Sequence, residues 1–295
     1  MTDSSPDPRT TFVIASRDRS AELATVLHRL LDSTRCPVIL VDNASRDDSV
    51  EVAHRIAAGS GERLTVVELD ENLGAVGRNV GVARARTPFV AFCDDDSWWD
   101  PDSVALAERL FDEYPTLGLL AARTVVWPDD RDDPIVADLA NSPLGHDPAL
   151  PGPSVLGFLS CSAIVRKDAF EAVHGFSPIL HFRGEEQLLA WDLAAAGWAL
   201  CFCAKLTAFH QPSAQRATTA VQDARLARNA ALTTWLRRPL RPCLDAAAAL
   251  LRAAVRDHEH ARAFGQAMWS LPAVFAQRRR LPIAVEQAVR RCEGC

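Results

Sequence analysis

The chain's 295 residues are 48% apolar and 24% charged, with a formal net charge of −6. These are the proportions of an ordinary soluble globular protein, long enough for one large α/β domain or a domain with an appendage. No apolar run approaches the roughly 20 residues of a membrane span, and the start, MTDSSPDPRT, lacks a signal peptide's apolar core, which predicts a cytoplasmic location.

The charge is spread unevenly. Residues 214–295 hold 14 Arg, no Lys and 6 Asp or Glu, a balance of +8, while residues 1–213 hold the other 18 basic and 32 acidic residues, a balance of −14. A shift of that size predicts a boundary near residue 213. The eight cysteines are scattered without paired zinc spacing and read as reduced core residues; only the terminal CEGC, Cys292 to Cys295, has a spacing suited to a metal or a disulfide.

The first ten residues are polar, carry two prolines and are expected to be disordered. TFVIAS (11–16) reads as a buried strand, AELATVLHRLL (21–31) as a helix, PVILVDN (37–43) as a strand and VEVAHRIAA (50–58) as a helix. LTVVEL (64–69) follows as a strand, GAVGRNVGVARA (74–85) as a helix despite its glycines, and PFVAFCDDD (88–96) as a strand. A helix at 102–113 and a strand LGLLAARTVVW (117–127) complete five apolar runs that do not alternate with polar residues. Together they predict a parallel, doubly wound sheet covered on both faces. Residues 128–153 read as a surface loop, VLGFLSCSAIV (155–165) as a strand, a short helix follows from Lys167, EEQLLAWDLAAAG (185–197) is a helix, and WALCFCAKLTAF (198–209) the last strand. From 214 the pattern is helical, broken by prolines at 239, 242, 272 and 282.

In such a sheet, ligands bind beyond the carboxyl ends of the parallel strands. Ser16, Asp18 and Arg19 follow the first strand, Asp42 and Asn43 the second, Asn72 the third, and Asp94, Asp95 and Asp96 the fourth. Each alone is an ordinary turn or cap residue. Four strands delivering polar residues to one edge, with three acids together, point to a ligand crevice, because packed carboxylates repel one another unless a cation or full solvation relieves them.

VILVDNASRDDSVEV, NLGAVGRNVGVARA and PFVAFCDDDSWWDPDSV resemble the signature segments of family 2 glycosyltransferases, which have the GT-A fold. The resemblance covers about residues 10–213, a catalytic domain followed by an Arg-rich helical extension over 214–295. It implies transfer of a sugar, with inversion, from a nucleotide-diphospho-sugar to a hydroxyl acceptor. The first two strand ends would hold the base, with Asp42 suited to the imide N–H of uracil or thymine. Arg78 would face the diphosphate. Asp94 would stand on the ribose side, Asp96 would bind Mn²⁺ or Mg²⁺, and Asp95 falls in whichever neighbouring register applies. His210, in AFHQPS, would be a further metal ligand; Trp98, Trp99 and Arg183 would lie on the acceptor side, at least one Trp being core. In FRGEEQLLAWDL, Glu186 takes the place of the family's usual Asp base and Glu185 supports it, whereas Asp192 reads as structural.

Two rivals remain: a non-catalytic nucleotide-sugar binder, kept open by Glu-Glu in place of Glu-Asp, and a sugar nucleotidyltransferase, which would need a Gly-rich loop where ASRDRSAEL has no glycine. The acceptor is a cell-surface glycan, a lipid-linked glycan or a small natural product. The tail reads as a helical cap or dimer contact with solvated arginines, ahead of attachment to an anionic membrane surface. Nucleic-acid binding is not expected, since the catalytic part is acidic and no recognition motif occurs.

Overall fold

The computed structural model describes residues 7–213 and 218–294. Its elements begin β1 (Thr10–Ser16), α1 (Ser20–Ser33), β2 (Val38–Asp42), α2 (Ser49–Gly59), β3 (Leu64–Glu68), α3 (Val76–Arg84), β4 (Phe89–Cys93), β5 (Ser97–Trp99) and α4 (Pro101–Glu113). They continue through β6 (Leu117–Val126), β7 (Arg131–Asp132), α5 (Pro134–Ala140), β8 (Ala163–Arg166), α6 (Lys167–Ala172), α7 (Glu185–Ala195) and β9 (Ala199–His210). Five helices follow: α8 (Thr219–Arg237), α9 (Leu240–Ala254), α10 (His258–Trp269), α11 (Leu271–Gln277) and α12 (Ile283–Cys292).

The sheet order is β3-β2-β1-β4-β8-β6-β9-β5, with β7 paired to β6. β3, β2, β1 and β4 run parallel as expected. The run at 117–126 does not lie beside β4: β8 enters between them, antiparallel to both, and β6 then pairs parallel with β9. The sheet is therefore mostly parallel but mixed. Alternate residues of β1 serve the two faces. Phe12 and Ile14 pack with Leu23, Leu27 and Leu30 of α1, while Val13 packs with Val82 of α3 and Phe92, Phe170 and Phe176. Gly81 lets α3 lie on β1, because a Cβ there would press on the Val13 side chain at 2.5 Å.

Three expectations change. The loop at 128–153 contains α5, whose start is built from an Asp133 side chain accepting from the Ile135 N–H at 3.1 Å and from Pro134 at the first helical position. Of the strand expected over 155–165, only its last residues, from Ala163, are extended as a strand. Val155 and Phe158 bury themselves from an irregular segment that ends in a 3-10 turn, Ser160–Ser162. The expected disorder of residues 1–10 concerns mostly residues outside those described, but Arg9 and Thr10 are ordered: Arg9 pairs with Asp112 at 2.6 Å and the Thr10 hydroxyl donates to Glu108 at 2.8 Å. Of the CEGC tail, Cys292 is an exposed free thiol and Cys295 lies outside the described residues.

The tail's arginines are not all solvated, because several tie the helices to the sheet domain. Arg237 sends Nε and Nη2 to the two oxygens of Asp192 at 2.5 and 2.8 Å. Arg238 bonds Glu286 and Glu293 and lies 5.9 Å from the Trp191 ring centroid. Leu180 and Leu188 share one apolar cluster with Leu232, Trp235, Leu236 and Val274. Among the described residues no helix is long and apolar enough to cross a membrane.

The Arg237 and Asp192 side chains are only 7% and 12% exposed, so removing one partner leaves a buried charge. Arg237→Met is expected to lower unfolding stability in urea by about 3 kcal/mol, and adding Asp192→Leu to recover most of that loss.

Candidate functional site

The loops after β1 and β2 are laced together. Asp18, at a φ of 54°, accepts from the Arg46 N–H at 2.6 Å and its own N–H donates to the Ser45 hydroxyl at 2.9 Å. Asp42 is 3% exposed; one carboxylate oxygen accepts from the Ser45 N–H at 2.8 Å and the other from the Ser45 hydroxyl. The Arg19 N–H donates to the Ser49 hydroxyl at 3.2 Å, with its guanidinium 3.6 Å from Glu22. Asn43 turns toward the loop before α3, donating to the Gly74 carbonyl and accepting from the Leu73 N–H, both at 3.2 Å. Asn72 accepts from the Gly74 N–H at 2.9 Å. Both asparagines thus shape the turn that launches Arg78.

The three acids after β4 separate onto three partners. Asp94 pairs with the Arg78 guanidinium while its N–H donates to the Ser97 hydroxyl at 2.7 Å. Asp95 accepts from the Ser16 hydroxyl at 2.8 Å, and burial together with the charge of Asp94 pushes its pKa up to about 7. Asp96 has Oδ1 3.5 Å from Nε2 of His210, and its Oδ2 accepts from the Ser213 N–H at 3.3 Å. The short strand β5 causes this last meeting, since its antiparallel register sets Ser97 opposite His210. Among the described residues no three His, Cys, Asp or Glu side chains form a metal cage. Asp96 and His210 are an oxygen and imidazole pair that fits a divalent ion whose other ligands come from a diphosphate and water.

α7 begins at Glu185. That carboxyl is 2% exposed and lies 3.8 Å from Nη1 of Arg78; burial, then the charge of Glu186, push its pKa up to about 8 against the pull of Arg78. Arg78 is 3% exposed; burial works against its charge, and Asp94 and Glu185 more than offset this, so its pKa rises above the ordinary value. Glu186 is half-buried and accepts from the Ser160 hydroxyl at 3.1 Å. Arg183 is half-buried at a φ of 74° just before these acids.

Trp99 does not belong to the acceptor side. It is 1% exposed, in the core, with its indole N–H on the Phe92 carbonyl at 3.0 Å. Trp98 points the other way along β5, stacked on Phe209 and capped by the Arg29 guanidinium at 3.8 Å. It lines a cleft of about 680 Å³ against α1 with His28, Asp32 and Trp127. Two contributors escaped the sequence reading. Ser160 was hidden in an apolar run taken for a strand. Asn79, beside Arg78, brackets Phe176 by donating to its carbonyl and accepting from its N–H, both at 2.9 Å. No spacing rule announces either.

Glu185 titrates higher in the folded chain than the ordinary value of 4.5, so the native state keeps a proton that the unfolded state releases. Its contribution to stability is full below about pH 4.5 and drains as pH rises toward about 8, with Arg78, Asp94 and Glu186 as the facing charges. Glu185→Gln is expected to flatten the fall of the thermal midpoint between pH 5 and 8 and to raise the midpoint at pH 8.

Similarity to known proteins agrees with this geometry. The pre-mycofactocin glycosyltransferase of Mycobacterium tuberculosis is 31% identical over 185 residues, 59% of this chain and 37% of that protein. The succinoglycan biosynthesis protein ExoU of Rhizobium meliloti is 32% identical over 92 residues, 30% of this chain and 27% of that one. The matched segments thus span well under half of these relatives. Among solved structures, the mannosyltransferase PcManGT from Pyrobaculum calidifontis, in complex with GDP-Man and Mn²⁺, superimposes with a TM-score of 0.62 at 18% identity, covering 99% of this chain and 89% of that one. S. aureus TarS 1–349 in complex with UDP-GlcNAc gives 0.60 at 15% identity, covering 95% and 83%. The fold is GT-A, with a helical C-terminal region. The family model for glycosyl transferase family 2 matches residues 11–173, more than half of the chain, and the protein belongs to that family.

Proposed function

We propose that the protein transfers a sugar from a nucleotide-diphospho-sugar to a hydroxyl acceptor, with inversion at the anomeric carbon. The observation that carries this reading is the buried Arg78, which draws Asp94 of the acidic triplet and Glu185 of α7 to itself and so brings Glu186 to the ligand edge of the sheet. Glu186 takes the proton of the acceptor hydroxyl as that oxygen attacks the anomeric carbon and the nucleoside diphosphate departs. Asp96 and His210 would hold Mn²⁺ or Mg²⁺, which supplies positive charge to the diphosphate when bound. Ser16, Asp18, Arg19, Asp42 and Asn43 form the base and ribose side. A uridine or thymidine donor suits Asp42, whose oxygens each keep a lone pair beyond their Ser45 bonds. The solved neighbours carry GDP-Man and UDP-GlcNAc, so a guanosine donor belongs in any test. The names of the curated relatives support both a cell-surface glycan and a natural-product setting.

Thermal unfolding with UDP-, dTDP- and GDP-sugars is expected to show a shift of several degrees for one nucleotide that requires Mn²⁺ and is lost in Asp96→Ala. Glu186→Gln should keep that shift while transfer falls by about 10²–10⁴-fold. Binding without any turnover, in the wild type as in Glu186→Gln, would instead identify a non-catalytic nucleotide-sugar binder.

For the tail, an acceptor-side cap is supported by α8 packing on residues 180–183. A specific observation favours surface attachment in addition. Leu240, Leu244 and Leu251, 65%, 61% and 51% exposed, fall along one side of α9 and Val255, 81% exposed, caps its end, with Arg241, Arg252 and Arg256 exposed beside them. Salt-sensitive co-sedimentation with phosphatidylglycerol vesicles, absent with phosphatidylcholine, is the expected outcome; no sedimentation with either leaves the cap alone.

A further inference from the structure

We infer that Asn229 of α8 is a positioning residue for the acidic pair Glu185–Glu186, acting through the backbone of the loop that precedes them; the inference rests on the glycosyl-transfer reading. Asn229 is 0% exposed. Its side-chain nitrogen lies within hydrogen-bond distance of three carbonyls of this loop, of Leu180 at 2.9 Å, Phe182 at 3.0 Å and Arg183 at 2.6 Å, which share its two N–H donors. Its own carbonyl oxygen accepts from Nε of Arg228 at 2.9 Å, which fixes the orientation of the amide, since only the nitrogen can face the three backbone oxygens. Arg228 adds a bond of its own to the Leu180 carbonyl at 2.8 Å and reaches Gln266 of α10 at 2.9 Å.

The loop needs such a clamp. His181, Arg183 and Gly184 adopt positive φ values of 63°, 74° and 77°, a region that residues with a side chain enter only when their surroundings hold them there. Neighbouring peptide units are gripped from opposite sides. The carbonyls of Leu180, Phe182 and Arg183 point to α8, and that of His181 accepts from the Ala75 N–H at 2.6 Å, three residues before Arg78. The loop then delivers Gly184 as the cap of α7, with Glu185 and Glu186 as its first two residues. One amide in the Arg-rich extension therefore sets where α7 starts relative to Arg78. An apolar side chain at this position would leave the Phe182 and Arg183 carbonyls without the buried donor that they share.

The test uses the full chain with Asn229→Leu and, as a milder variant, Arg228→Met. Hydrogen exchange is followed along the backbone, and hydrolysis of UDP-glucose, UDP-N-acetylglucosamine, dTDP-glucose and GDP-mannose is measured with Mn²⁺. The expected result is exchange of the amides of residues 181–186 faster by tenfold or more, with α1 and α4 unchanged. For whichever donor the wild type hydrolyses, KM should stay within about twofold while kcat falls by about 10²-fold, the cost of a displaced catalytic group. Arg228→Met should show the same pattern more weakly. Unchanged exchange in the loop, or a KM rise with kcat intact, overturns the inference. Should Asn229→Leu unfold the whole chain, Arg228→Met decides, and wild-type exchange in its loop is the overturning result. If the wild type hydrolyses none of the four donors, the exchange data alone decide whether the clamp exists, and the glycosyl-transfer reading is judged separately by the Mn²⁺-dependent thermal shift.

Discussion

Burying a guanidinium is among the costliest things a fold can do unless carboxylates gather round it, and Arg78 is 3% exposed. The partners it collects come from elements far apart in sequence: Asp94, just after β4, as a carboxylate, and Glu185, at the start of α7, as a carboxyl that holds its proton up to about pH 8. The Phe176 ring, 5.7 Å from the guanidinium carbon, closes a further side. This one group therefore couples the helix after β3 to both halves of the crevice. The three acids of the triplet can crowd together because each has been given a different destination: a guanidinium, a serine hydroxyl, and an imidazole with a backbone amide.

The half of the sheet from β1 to β4 was legible in the sequence because its rules are local. Unbroken apolar runs mark strands covered on both faces, and polar residues just after them mark the ligand edge. β1 to β4 and the helices between them fall within a few residues of expectation. What escaped depends on long-range pairing. β8 inserts between β4 and β6, a choice of neighbour that no run of residues announces. β5 has three residues, too few for a period to show, yet its register is what brings His210 to Asp96. Trp99 reads like its neighbour Trp98 in a string of letters; the pleat sends one into the core and the other to the surface. α5 was legible in principle, through Asp133 and Pro134, and was masked by the density of turn residues around it.

The composition break near residue 213 carried a second lesson. An excess of arginine reads as solvated charge or as attraction to anionic surfaces, and part of it is neither. Arg228, Arg237 and Arg238 spend their hydrogen bonds on carbonyls and carboxylates of the fold itself. A guanidinium suits such work because its donors form a rigid fan that serves a carboxylate and a carbonyl at once, as Arg237 does with Asp192 and Gln277.

The Asp192–Arg237 pair joins α7 to α8, and the Asn79 bracket joins α3 to the turn at Phe176. The segment that identifies the family ends at residue 173, before Glu185, Glu186 and His210. Leu180 and Leu188 share an apolar cluster with the helical tail, while Leu189, Ala190 and Leu193 of the same helix face the sheet. Exchanging the segment from α7 onward between related proteins would have to move α7, β9 and the helices from α8 to α12 as one block, and its seam is wide: it crosses the Arg78–Glu185 pair, the bond from the Ala75 N–H to the His181 carbonyl, and the pairing of β9 with β5 and β6. The helices of the tail lie beyond the segment that marks the family, yet packing and a buried ion pair bind them to α7.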